Sequence, residues 1–67
     1  MSFTKEDLET AKTIIDKAYY DRCVPSVELG NLAIVLSKAC IRENGLVMEP
    51  SRGATIRLID ALGYRIV

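Results

Sequence analysis

A chain of 67 residues with nine basic and nine acidic side chains, two cysteines and no histidine has room for one domain only. That inventory excludes Ser-His and Cys-His nucleophile pairs and histidine-based metal sites. The balanced charge supplies no global field toward DNA or an anionic membrane, and no apolar run reaches the length of a membrane span.

Cys23 and Cys40 stand seventeen positions apart, without the closely spaced ligands of a structural zinc. They are expected as reduced, partly buried thiols, since a free cysteine behaves as a small hydrophobe. No metal, cofactor or catalytic residue is expected. The chain is also too short to enclose a substrate pocket of several hundred Å³. The polar, charged start of the chain does not read as a signal peptide, so a cytoplasmic location is expected. Domains of this size bury only about 60% of their unfolded surface and lean on disulfides, metals or a partner chain. With 49% hydrophobic residues, self-association is the support expected here.

The first helix is predicted from Lys5 to Tyr20. Thr4 and Asp7 form a variant of the capping box, and Phe3 with Leu8 a hydrophobic staple. Leu8, Ala11, Ile14, Ile15, Ala18 and Tyr19 recur at helical spacing. Pro25 ends any continuation.

Ser26 is the expected N-cap of a second helix that runs to Asn44 and Gly45, where glycine supplies a left-handed stop. Leu29, Leu32, Ala33, Leu36, Ala39 and Cys40 make its broad apolar face. Ile34, Val35 and Ile41 lie outside that face, and only Asn31, Lys38 and Arg42 form a polar stripe. A helix apolar nearly all round is central or sits at an interface, which makes Ile34, Val35 and Ile41 candidate protein-binding residues.

Ser51 is the expected N-cap of a third helix ending at Leu62 with Gly63 as its C′ residue. Ala54, Leu58, Ala61 and Leu62, flanked by Ile59, form its core face. The opening Ser51-Arg52-Gly53-Ala54-Thr55 reads as an ordinary helix start, although free N–H groups there also suit phosphate. Tyr64-Arg65-Ile66-Val67 is rich in strand formers. The segments around Val47 and Ile66 bracket the third helix and are suited to pair as a two-stranded ribbon.

The run Pro50-Ser51…Thr55-Ile56-Arg57-Leu58-Ile59-Asp60-Ala61-Leu62-Gly63-Tyr64-Arg65 resembles the last helix of Xre/Cro-type helix-turn-helix domains over about a quarter of the chain. Leu32-Ala33…Leu36…Ile41-Arg42-Glu43-Asn44-Gly45 is similar to that family's recognition segment, but about four residues shorter than its turn and helix. The resemblance implies DNA binding. The residues available for nucleic-acid or acidic-partner contacts are Asn31, Lys38, Arg42, Arg52 and Arg57. Beyond Gly30, five bases face three acids, a small excess for a chain whose affinity would rest on phosphate contacts.

The expectation is an all-α, compact three-helix domain over residues 1–67, the second helix central, with a short C-terminal β ribbon. Its expected role is that of a small non-catalytic regulator or inhibitor acting through protein contacts as a homodimer. The alternative is a DNA-binding regulator of helix-turn-helix type. A weaker third is a stand-alone subunit that stabilises a larger complex.

Overall fold

The computed structural model describes residues 3–67. It contains three helices, α1 (Lys5–Ala18), α2 (Leu29–Lys38) and α3 (Arg52–Leu62), with a 3-10 turn, Ser26–Glu28, leading into α2. Four two-residue strands join them: β1 (Cys23–Val24), β2 (Arg42–Glu43), β3 (Leu46–Val47) and β4 (Arg65–Ile66). The chain is therefore mostly helical, but not all-α.

The start of α1 follows from its sequence. The Thr4 hydroxyl accepts from the Asp7 amide at 3.1 Å and donates to the Asp7 carboxylate at 2.9 Å, which meets two polar needs of the first turn at once. Phe3 is buried and Leu8 packs against the same core. The helix stops at Ala18, two residues before Tyr20. Asp21 and Arg22 take left-handed backbone, φ 57° and 55°, and the Cys23 amide donates to the Tyr20 carbonyl at 3.1 Å. That tight turn swings the chain into β1.

Strand β1 pairs in parallel with β4, Cys23 beside Arg65 and Val24 beside Ile66. The expected ribbon between Val47 and Ile66 does not form. Val47 lies instead in an antiparallel hairpin opposite Arg42. The hairpin turn is Asn44-Gly45, at φ 55° and 83°. Two positive φ values make a type I′ turn, whose twist matches that of paired strands. Asn44 and Gly45 thus reverse a hairpin and do not stop α2.

Helix α2 ends at Lys38, well short of the expected Asn44. Cys40 adopts left-handed backbone, φ 61°. The Cys40 amide donates to the Ser37 carbonyl at 3.0 Å and the Ile41 amide to the Leu36 carbonyl at 3.2 Å. These two bonds are a Schellman motif, here closed by a cysteine. Ser26, expected as N-cap, opens the 3-10 turn and caps nothing.

Helix α3 begins and ends where its sequence signals stand. The Ser51 hydroxyl accepts from the Ala54 amide. Gly63, at φ 76°, closes a second Schellman motif, with the Tyr64 amide donating to the Ile59 carbonyl. Its buried side is Ala54, Thr55, Leu58 and Ile59, and the Thr55 hydroxyl is satisfied by the Ser51 carbonyl. Ala61, expected in the core, is exposed. The helix packs against both α1 and α2, so α3, not α2, is the central element. Ile15, Val24, Leu29, Leu36, Ile41, Leu58 and Ile59 fill the interior between them. Among the described residues no buried side-chain polar atom lacks a hydrogen bond.

Candidate functional site: the outer face of helix α2

A helix turns by about 100° per residue. Leu29, Leu32, Ala33 and Leu36 are buried along one side of α2. Asn31, Ile34, Val35 and Lys38 fall on the opposite side, within about 100° of arc, and all four are exposed. Residues that the sequence divides into an apolar partner site and a polar stripe are one surface. Asn31 and Lys38 run down its centre; Ile34 and Val35 flank them, each 47% exposed. Val27, on the preceding turn, is 80% exposed.

Ile41 does not belong to this surface. It is 1% exposed and sits in the core. The Schellman motif accounts for the correction: the residue after the left-handed position folds back onto its own helix, and an apolar side chain there packs inward. Arg42 leaves the helix with it. It is exposed on β2, so Asn31, Lys38 and Arg42 do not form a single helical stripe.

The remaining cations are partly engaged. Arg57 reaches across from α3 to the hairpin, its Nε 2.6 Å from Glu43 Oε2 and its terminal nitrogen 2.9 Å from Oε1. This is the paired-donor geometry that suits a guanidinium to a carboxylate. The hydrogen bonds from Arg57 hold the Glu43 carboxyl below its ordinary range against the opposing effect of burial. The same bonds raise Arg57. Glu43 is the partner of the candidate Arg57 that residue-type reasoning missed. The Asn-Gly turn at 44–45 is the signal that would have placed it on a hairpin. Arg52 donates one N–H to the Ser26 carbonyl at 3.3 Å.

The length of the chain does not exclude a groove. One of about 520 Å³ opens between the first turns of α1 and residues 39–45, lined by Thr4, Asp7, Cys40 and Arg42 among others. Both thiols are free, Cys23 half-buried and Cys40 exposed, so Cys40 is not the partly buried thiol expected. The Cys23 sulfur accepts from Arg65 at 3.2 Å. Among the described residues no cluster of three or more metal-ligating side chains occurs, and no helix is long and apolar enough to cross a membrane.

Helices α2 and α3 are separated by residues 39–51, which hold the hairpin. The chain matches none of the family models, curated proteins or solved structures with which it was compared. Its function has to be read from its own surface.

Proposed function

We propose that this chain is a small non-catalytic regulator that works through protein–protein contacts, as a homodimer, and that the outer face of α2 is the surface it presents to its partner. One observation carries the reading: Ile34 and Val35 stand half-exposed on the outside of a helix whose inner side is wholly committed to the core. Two branched aliphatics beside an amide and an ammonium suit a contact whose centre is apolar and whose edge is polar. Lys38 calls for a carboxylate on the partner. The DNA reading draws less support, because Arg57 is already matched to Glu43 and the other candidate bases, Lys38, Arg42 and Arg52, lie on three separate elements.

The test is retention of partners from lysate, with and without nuclease, at about 50 and 500 mM salt. Retention that survives nuclease and salt, and is lost with Ile34→Glu and Val35→Glu, supports a protein interface. Binding to a defined duplex that collapses with salt by orders of magnitude would move the assignment to DNA.

A further inference from the structure

We infer that the exposed face of α3 is the self-association surface, docking against the same face of a second copy in antiparallel register centred on Ile56. This inference deepens the proposed homodimer by assigning its interface.

The charge order of α3 is the starting point. Its first turn holds no acid and its last turn no base. Arg52 stands at the first position and Asp60 in the last turn. Both signs oppose the helix dipole, which favours acids at the start and bases at the end. A lone helix gains nothing from this arrangement.

Two antiparallel copies do gain from it. Asp60 and Arg52 each lie four residues, about 6 Å, from Ile56. A two-fold axis through Ile56 therefore sets each Arg52 beside the other copy's Asp60, twice over, while the Ile56 side chains meet at the centre. Such self-complementarity is what a two-fold interface requires. Arg52, Ile56 and Asp60 all lie on the exposed side of α3. Ile56 is 42% exposed. Beside it runs a shallow groove of about 310 Å³ lined by Ile56, Arg57, Ile59, Asp60, Tyr64 and Ile66, which gives the centre of the contact an apolar floor. Asp60 has no ion-pair partner among the described residues. Arg52 uses one donor on Ser26, and a guanidinium has five. The α2 face lacks this property: antiparallel pairing there sets Lys38 against Asn31, with no acid to meet it.

Sedimentation velocity from about 5 to 300 μM should show a monomer–dimer equilibrium with Kd of roughly 10–100 μM, as suits a small interface. Arg52→Asp alone and Asp60→Arg alone should each weaken it at least about tenfold, because like charges then face each other. Measured at about 5 μM, each variant should melt about 2–5 °C higher than the wild type, because its end charge now agrees with the dipole. Loss of dimer with gain of stability separates a broken interface from a broken fold. An equimolar mixture of the two variants restores both pairings and should dimerise. If the wild type remains a monomer at about 300 μM, the proposed homodimer and this face both fail. If it dimerises but the mixture does not, only the α3 face is overturned, and persistence of the wild-type dimer in Ile34→Glu shows that α2 is not the interface.

Discussion

The Tyr64 hydroxyl donates to the Asp16 carboxylate at 2.7 Å, joining the segment after α3 to the last turn of α1 across 48 positions of chain. Tyr64 is buried and Asp16 exposed. With Arg65 following at once into β4, this bond anchors the parallel ribbon to the first helix. Tyr64→Phe should keep the fold and lower its stability by about 1 kcal/mol, the usual value for a single hydrogen bond whose acceptor can regain water. Denaturant melts at constant m-value check it; no change in midpoint would show that the bond adds nothing.

The same hydroxyl contributes to a loss of stability at alkaline pH. Its hydrogen bond to Asp16, together with burial, raises Tyr64 above its ordinary value of 10.0. Tyr19, partly buried beside Glu28, is raised by desolvation first and then by that carboxylate. A group with a raised folded-state pKa binds its proton more tightly folded than unfolded. The stabilisation is whole below about pH 10 and is lost as pH climbs through the folded values. Glu43 works in the opposite sense. Its folded pKa lies below the ordinary 4.5, so its contribution is present above about pH 4.5 and fades as pH falls through the lower folded value. Melting temperature against pH should show a plateau between these limits. The double variant Tyr19→Phe, Tyr64→Phe should flatten the alkaline fall and leave the acid one.

Cys40 and Gly63 hold the same position in two Schellman motifs, and only one of them is glycine. A left-handed φ of 61° at Cys40 strains a side-chain-bearing residue, whereas glycine adopts it freely. Cys40→Gly should raise stability by about 0.5–1 kcal/mol. Gly63→Ala should lower it by about 1 kcal/mol, all of it from the left-handed backbone, because a Cβ at Gly63 meets no atom of the surrounding structure within 4 Å. Calorimetry of both variants is the measurement. A destabilised Cys40→Gly would mean that the exposed thiol has a packing role.

Ile34 and Ile41 are the same residue type with opposite fates. Ile41→Ala should cost about 2–4 kcal/mol, since it opens a cavity in a filled core. Ile34→Ala should stay within about 0.5 kcal/mol of the wild type, as surface substitutions do. Equal effects in urea unfolding would contradict the placement of Ile41 in the core.

What the sequence determined by itself is what local chemistry controls. The starts of α1 and α3 are readable because Thr4 and Ser51 satisfy amides three residues away. The end of α3 is readable because Gly63 supplies a conformation few other residues accept. The inner faces of α1 and α2 are readable because helical spacing lines up Ala11 with Ile15 and Leu29 with Leu36.

Tertiary structure decided the rest. Cys40 carries no local preference for left-handed backbone, so nothing near it announces the end of α2. The break follows from packing, which draws Ile41 into the core and frees Arg42 and Glu43 to pair with Leu46 and Val47. The parallel match of β1 with β4 joins two-residue strands 42 positions apart, and a pairing so short and so distant leaves no periodicity to read. The candidate surface was hidden for a related reason. Composition shows that α2 is apolar nearly all round, but only the location of the core, between α2, α3 and α1, determines which aliphatics are left facing water.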